Sequence, residues 1–250
     1  MEVRPYDGIK YQNSAELCEQ MAAECDTAIL AFSCGKDSLA SWLQMRRYFK
    51  RVIPYYQYYI PGMKFVEDSL KYYEDFFGCH IYRMPHPSFF RWLRQGVFLP
   101  AHHLPAIKER YTVDENSYTS ETIAETIRRL DHLPEAAFCG IGIRKTDSLI
   151  RRVAIDTNGA IIYKNKTFYP VYDWLKEDML AAFKDAGVKL PVDYRVFGRS
   201  FDGMNYQYLA PLKEYFPEDY KLLLRWFPLA ELEFIRYGEN EKAERWRINE

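Results

Sequence analysis

Residues 27–38 read T-A-I-L-A-F-S-C-G-K-D-S, and the fold is organised around this stretch. The apolar run from Thr27 to Phe32 is typical of a strand that is buried on both faces, and the apolar residues after Ser38 recur at helical spacing. The residues from Ser33 to Ser38 are therefore predicted to form a strand-to-helix turn. Such a turn points backbone N–H groups and the positive end of the helix dipole at its ligand, which favours phosphate.

The side chains of this turn suit an anion and its counter-cation. Gly35 lets a ligand approach the backbone closely, Lys36 supplies a positive charge and Asp37 is able to hold a cation. Ser33 and Ser38 supply hydroxyl groups. The pattern differs from G-x-x-x-x-G-K-[ST], which needs a second glycine and a longer loop. An ordinary glycine-containing turn is the alternative that this stretch leaves open.

The composition predicts a folded chain without a strong overall electrostatic field. With 250 residues, 48% of them hydrophobic, the chain is able to bury a full core. The formal net charge of −1 gives no indication of nucleic-acid binding. The five cysteines are scattered without C-x-x-C pairs, the start of the sequence lacks a signal pattern, and no apolar run reaches membrane-spanning length. We therefore expect a cytoplasmic protein that does not enter a membrane.

Strand and helix patterns alternate along most of the chain. Strands are predicted at 27–32, 52–60, 79–84 and 135–143, and helices at 14–25, after 38, at 65–77, 119–131 and 175–186. This alternation favours an α/β, Rossmann-like, doubly wound and mainly parallel sheet that binds its ligand beyond the carboxyl ends of the strands. Residues 1–200 are predicted to form this domain, with a lid or insertion at 88–118. Residues 201–250 are predicted to be a helical extension that caps the domain or binds a protein partner or a second copy.

A second candidate anion site follows the fourth predicted strand. Residues 139–152 read C-G-I-G-I-R-K-T-D-S-L-I-R-R. Glycines beside a strand end, with Arg144 and Arg151 close by, are typical of an anion-binding surface. On a helix Asp147 would face Arg151 at i+4, so a surface ion-pair ladder is the alternative.

These motifs resemble the phosphoadenosine phosphosulfate (PAPS) reductase family of the adenine-nucleotide alpha-hydrolase, or ATP pyrophosphatase, superfamily. S-C-G-K-D-S matches the S-G-G-x-D-S pyrophosphate loop except at Cys34, and residues 142–151 match G-x-R-x-x-[ED]-S-x-x-R. Residues 169–174 and 190–194 resemble the P-[IL]-x-x-W segment and the P-x-Y turn that follows it. The matches cover roughly residues 25–200.

The resemblance implies the family's HUP-type fold and a site for ATP, or for PAPS as substrate, with Mg²⁺. It implies that Lys36, Asp37 and Arg144 are catalytic and that Asp37 also holds the metal ion. The nucleotide-binding residues that it implies are Ser33, Cys34, Gly35, Lys36, Asp37, Ser38, Gly140, Gly142, Arg144 and Arg151.

The chain departs from the family at a residue that sulfonucleotide reduction needs. The reductases attack sulfur with a cysteine in a Glu-Cys-Gly-type motif near the C-terminus, whereas no cysteine follows Cys139 in this sequence. We therefore expect an enzyme that cleaves ATP at the alpha-phosphate, releases pyrophosphate and adenylylates an acceptor. Cys34 is either a nucleophile activated by the helix N-terminus or a small residue in place of glycine.

Two alternatives to this function stay open. One is PAPS reduction or sulfur transfer with a thiol that a partner protein supplies. The other is a nucleotide-sensing module of a nucleic-acid modification or defence complex.

Overall fold

The computed structural model describes residues 10–96, 98, 102, 105 and 118–237. The strands are β1 (Thr27–Ala31), β2 (Arg51–Tyr58), β3 (Tyr82–Pro85), β4 (Cys139–Ile141), β5 (Ile161–Ile162) and β6 (Thr167–Phe168). The helices are α1 (Ser14–Glu24), α2 (Lys36–Met45), α3 (Lys64–Phe77), α4 (Pro87–Gln95), α5 (Ser120–Leu130), α6 (Leu149–Asn158), α7 (Lys176–Ala186), α8 (Val192–Val196), α9 (Tyr206–Tyr215) and α10 (Pro217–Trp226). Short 3₁₀ helices lie at Tyr163–Asn165 and Pro228–Glu231, and residues 232–237 are helical.

The strands form one six-stranded sheet in the order β3-β2-β1-β4-β6-β5. β1 pairs in parallel with β2 and with β4, and β4 pairs in parallel with β6, whereas β5 runs antiparallel to β6. The predicted α/β fold with a mainly parallel sheet is thus confirmed. The strand order reverses at β1, because β2 and β3 lie on one side of it and β4 lies on the other. In open sheets of this kind, ligands bind at such a reversal, beyond the carboxyl ends of the strands.

Two strands begin later than the sequence predicts. β3 begins at Tyr82 rather than residue 79, and β4 at Cys139 rather than residue 135. The N–H of Ile81 donates to the Glu74 carboxylate at 2.8 Å, so a side chain of α3 holds the backbone there. Before β4, a turn in which the Ala137 N–H donates to the Pro134 carbonyl takes the place of the predicted strand residues.

The chain divides into two compact units. Unit 1 contains the residues up to Gln57, Leu70–Met84 and Thr119–Pro191, and unit 2 contains Tyr58–Ser69, the residues from Pro85 to Tyr118, and those from Val192 onward. This division differs from the predicted boundary at residue 200, because the chain passes between the units several times. One of these crossings, from unit 2 to unit 1, lies inside α3. The sequence gives no sign of this boundary, because the helical periodicity continues across it. Most of the predicted lid or insertion after α4 lies outside the described residues.

The core of unit 1 fixes α2 against the sheet. Ala28, Ile29 and Leu30 of β1 are buried, as the apolar run predicts. The Trp42 ring of α2 stacks on Phe77 with ring centroids 3.8 Å apart, and Phe32 packs edge-on against Trp42. These contacts hold both ends of the turn between β1 and α2.

Unit 2 has an aromatic core of its own. Phe65 stacks on Phe216 with centroids 4.8 Å apart, and Phe89 of α4 packs against Trp226 and Phe227. The arginine-interleaved aromatic face of α4 is therefore used for packing within this unit. Among the described residues, no helix is long and apolar enough to cross a membrane.

Candidate functional site

The two predicted motifs meet at one edge of the sheet in unit 1. Ala31 at the end of β1 and Ile141 at the end of β4 are register partners. Because the strands are parallel and end level, the chain leaves both at the same edge. The turn from Ser33 to Ser38 and the loop that begins at Gly142 therefore lie side by side, at the point where the strand order reverses.

The two serine hydroxyls hold the shape of the turn. The Ser38 hydroxyl accepts the Ser33 N–H at 3.2 Å and donates to the Gly35 carbonyl at 2.9 Å. The Ser33 hydroxyl accepts the Gly35 N–H at 3.3 Å. Ser38 is also buried, at 4% exposure. The Ser38 hydroxyl thus holds the shape of the loop. The sequence predicted instead that this hydroxyl would help to bind a ligand.

The first turn of α2 is arranged for an anion. Gly35 is its N-cap residue and has no side chain with which to cap the helix, whereas Thr119 and Ser148 cap α5 and α6 through their hydroxyls. The first N–H groups of a helix lack intrahelical partners, so a bound anion is able to take the place of the cap. The Lys36 side chain in this turn is 39% exposed and adds positive charge.

Cys34 adopts the backbone conformation that glycine favours. Its φ is 56°, in the left-handed region, whereas Gly35 has a φ of −86°. The left-handed conformation thus occurs at residue 34, where the family that this motif resembles has glycine. This conformation costs a non-glycine residue about 1 kcal/mol of stability. Cys34 is also 3% exposed. Burial and conformation together favour the interpretation of Cys34 as a small residue in place of glycine.

Two glycines of the second motif permit close packing on α2. A Cβ atom on Gly142 would lie 2.6 Å from the Asp37 carbonyl carbon and 2.7 Å from the Ser38 nitrogen. A Cβ atom on Gly140 would lie 2.6 Å from the sulfur of Met45 and 3.0 Å from Pro170. Gly142 therefore brings the loop after β4 against the start of α2. Gly140 packs against Met45 and Pro170, whereas the resemblance implied a ligand contact for it.

Arg144 ties the second loop to the first. Its side chain is 8% exposed, and its Nε donates to Asp37 Oδ1 at 2.8 Å. Its Nη2 donates to Asp147 Oδ1 at 3.0 Å, and its Nη1 donates to the Trp174 carbonyl at 3.4 Å. A buried guanidinium with three such acceptors is held in one orientation. Sequence reasoning missed the Trp174 carbonyl, because a backbone acceptor leaves no signal in residue identity.

Asp147 extends this network to the surface. Its Oδ2 accepts the Arg144 backbone N–H at 3.0 Å and lies 2.7 Å from Arg151 Nη1. The i+4 ion pair between Asp147 and Arg151 is therefore present, as the alternative interpretation expected. Arg151 is 48% exposed and lies at the rim of the network. Lys145, which is also in the motif, turns to Asp156 and to the Tyr172 ring instead.

Asp37 is the carboxylate at the centre of the site. Its Oδ1 accepts from Arg144, its Oδ2 lies 3.3 Å from Lys36 Nζ, and its side chain is 24% exposed. Across the described residues, no group of three or more histidine, cysteine, aspartate or glutamate side chains is placed to hold a metal ion. Asp37 would therefore contribute a single carboxylate to any cation bound here.

No protein-family model matches the chain, and no curated protein matches it. The interpretation of the site thus depends on the sequence motifs and on the geometry that joins them.

Proposed function

We propose that unit 1 binds ATP at the Ser33–Ser38 turn, in a fold of the adenine-nucleotide alpha-hydrolase type. The observation that carries this proposal is the placement of the glycine-capped start of α2 at the strand-order reversal, where the Arg144–Asp37 ion pair joins it to the loop after β4. A helix N-terminus at a reversal of this kind suits a phosphate chain. The scattered cysteines also support the proposal of a cytoplasmic protein.

The residues of the turn divide the work between binding and positioning. The backbone N–H groups at the start of α2 bind phosphate oxygens, and Lys36 neutralises their charge. Arg144 is buried against Asp37 and Asp147, so we assign it a positioning role, in which it fixes the Asp37 carboxylate. Arg151, at the exposed rim, is placed to meet the part of the nucleotide farther from the turn.

Asp37 fits the requirement of a magnesium ion that phosphate oxygens largely coordinate. Mg²⁺ in nucleotide sites often takes one or two carboxylates together with substrate phosphates and water. When bound, the ion would neutralise part of the negative charge of the phosphate groups. Lys36 Nζ would move away from Asp37 Oδ2 to make room, which its partial exposure allows.

The reaction that we propose is adenylyl transfer. A nucleophilic oxygen or nitrogen of the acceptor forms a bond to the alpha-phosphorus, and the bond from that phosphorus to the bridging oxygen breaks. Pyrophosphate leaves with the bonding electron pair, and the acceptor proton passes to solvent. Catalysis then rests on positioning and on fixed positive charge.

Calorimetric titration of the full chain with ATP and Mg²⁺ tests the binding step. We expect saturable binding that Lys36→Ala weakens by about tenfold or more, as the loss of a charged hydrogen bond predicts. Lys164→Ala removes an exposed lysine from unit 1 outside both motifs and serves as the matched control, with unchanged affinity. Absence of ATP binding, or equal affinity in both variants, would overturn the proposal.

Release of pyrophosphate and AMP from labelled ATP, with a pool of candidate acceptors, tests the chemical step. Tight binding without either product would instead favour a nucleotide-sensing module. Sulfite release from PAPS in the presence of thioredoxin would favour the sulfonucleotide reaction with a partner thiol.

A further inference from the structure

Helix α6 in unit 1 carries an exposed apolar face. Leu149, Ile150 and Val153 are 73%, 82% and 56% exposed. Ile155 is the one buried residue among the ten of this helix, all of which the structure describes. Single exposed apolar side chains are ordinary, but three neighbouring ones on one helix form a patch of the kind that marks an interaction surface.

The three apolar side chains lie on the side of α6 opposite to Ile155. Successive residues of a helix are rotated by about 100° about its axis. Relative to Leu149, Val153 is therefore rotated by about 40° and Ile150 by about 100°, whereas Ile155 is rotated by about 240°. The face made by Leu149, Ile150 and Val153, called here the apolar face of α6, thus points away from the core that Ile155 enters.

Charged groups border this face along one flank. Arg152 and Asp156 lie one turn apart on that flank. The Arg152 side chain is exposed, and its guanidinium has no ion-pair partner in the part of the chain that the structure describes. Asp156 is 54% exposed, and its Oδ1 accepts from Lys145 Nζ. Its Oδ2 has no partner among the described residues, so the flank offers both a cation and an acceptor.

A second copy of this chain complements the apolar face in shape and in charge. Two α6 helices related by a twofold axis run antiparallel, so each flank faces the same flank of the other copy. With the axis near Val153, the two Val153 side chains meet at the centre, and Arg152 of each copy comes within reach of Asp156 of the other. A purely acidic or purely basic partner would satisfy only one of the two charges, whereas a second copy satisfies both.

We infer that the chain forms a twofold dimer through the apolar face of α6, in which Arg152 of each copy donates to Asp156 Oδ2 of the other. A stable interface buries about 800 Å² per partner, which is more than a ten-residue helix offers, so the dimer is weak and depends on concentration. This surface differs from the C-terminal extension, for which the sequence predicted a partner or a second copy. The inference does not depend on the proposed ATP site.

Analytical ultracentrifugation of the full chain tests the inference. We expect the average mass to rise toward that of two chains at protein concentrations up to about 1 mM, where even a Kd of about 1 mM leaves a large share of dimer. A chain that stays monomeric throughout would overturn the inference. If Val153→Lys then lowered the Tm of that monomer, another segment of the same chain would cover the face.

Two lysine substitutions locate the interface. Val153→Lys places like charges at the twofold axis, and we expect dimerisation to weaken by about tenfold or more. Leu180→Lys, on α7 of the same unit at 54% exposure, is the matched control and should keep the wild-type association. Both positions are exposed, so the far-UV circular dichroism should not change. Wild-type association in Val153→Lys, or an equal loss in both variants, would overturn the inference.

A mixture of two charge-reversal variants tests the antiparallel arrangement. Arg152→Glu alone and Asp156→Arg alone each place like charges opposite one another, so we expect both to weaken self-association by about tenfold or more. In an equal mixture, the introduced glutamate of one copy faces the introduced arginine of the other, and the native Arg152 and Asp156 also face each other. We expect the mixture to recover the wild-type association. A mixture that associates as weakly as its components would overturn the inference.

Discussion

Arg144 Nε donates to Asp37 Oδ1 at 2.8 Å, although the two residues lie 107 positions apart in the sequence. The contact joins the turn after β1 to the loop after β4, and Asp147 and the Trp174 carbonyl hold the same guanidinium from its other side. The geometry of the proposed phosphate site therefore depends on one buried cation.

The Asp37–Arg144 ion pair should contribute measurably to stability. In a double-mutant cycle of Asp37→Asn and Arg144→Gln, we expect a coupling free energy of about 1–3 kcal/mol, because the guanidinium is buried and the bond is charge-assisted. Urea unfolding measures it. The Lys145–Asp156 pair, whose two side chains are more exposed than Arg144 and Asp37, is the control, with a coupling below about 1 kcal/mol. Equal coupling in the two pairs would contradict a structural role for Arg144.

Gly142→Ala should disturb the site through the backbone. The added Cβ would lie 2.6 Å from the Asp37 carbonyl carbon, so the loop or the start of α2 has to move. We expect a loss of about 1–3 kcal/mol in unfolding free energy and weaker ATP binding. Gly203→Ala is the control, since the nearest atom to its new Cβ is 3.8 Å away, at an ordinary van der Waals distance. Wild-type stability in Gly142→Ala would show that the loop after β4 and the start of α2 lie farther apart than the distance of 2.6 Å implies.

Cys34→Gly should preserve or raise stability, because glycine removes the strain of a φ of 56°. Cys34→Val should lower the unfolding free energy by about 1–3 kcal/mol, since a branched side chain fits a left-handed residue poorly. Thermal unfolding separates the two variants. Turnover of ATP in Cys34→Gly should also persist, and its loss with the fold intact would revive the nucleophile hypothesis.

His86 should make unit 2 less stable in acid. Burial, with a smaller effect of Arg91, lowers the pKa of His86 from its ordinary value of 6.5 to about 4. The unfolded chain then binds a proton that the folded chain does not, so this contribution to stability is complete above pH 6.5 and is lost as the pH falls toward about 4. Chemical unfolding across this pH range measures the slope.

The matched variant for this pH effect is His86→Asn. His86 Nδ1 accepts the Ser88 N–H at the start of α4, and an asparagine oxygen replaces this cap without titrating. We expect the stability of His86→Asn to vary less with pH than that of the wild type. An unchanged slope in His86→Asn would assign the acid sensitivity to other groups.

Asp219 should act as the N-terminal cap of α3 within unit 2. Its side chain is buried, and its two oxygens accept the N–H groups of Lys64 and Phe65. We expect Asp219→Ala to cost about 1–2 kcal/mol or more, because the buried N–H of Phe65 and the part-buried N–H of Lys64 lose their acceptor. Glu218→Ala, at a neighbouring exposed carboxylate, should change the unfolding free energy little. Similar effects of both changes would contradict the capping role.

The sequence by itself determined the order of elements from α1 to β4 in unit 1 and the turn between β1 and α2, whereas α6, β5 and β6 were not predicted. Apolar periodicity is a local property, so the run from Thr27 to Phe32 and the helical spacing after Ser38 were enough to predict the strand and the turn. The alternation of strand and helix patterns along the chain predicted the mainly parallel sheet. The contact of Asp147 with Arg151 was also expected, but Asp147 lies just before the N-cap residue Ser148, so the ion pair spans the start of α6 and does not join two helical positions.

Only the tertiary structure decided which partners these residues have. The register of β1 against β4 places Arg144 on Asp37 and makes Gly142 a contact point for α2. The tertiary structure also decides the division into two units and the role of Asp219. Each of these depends on contacts between segments that are distant in the chain, and residue identity and spacing do not specify such contacts.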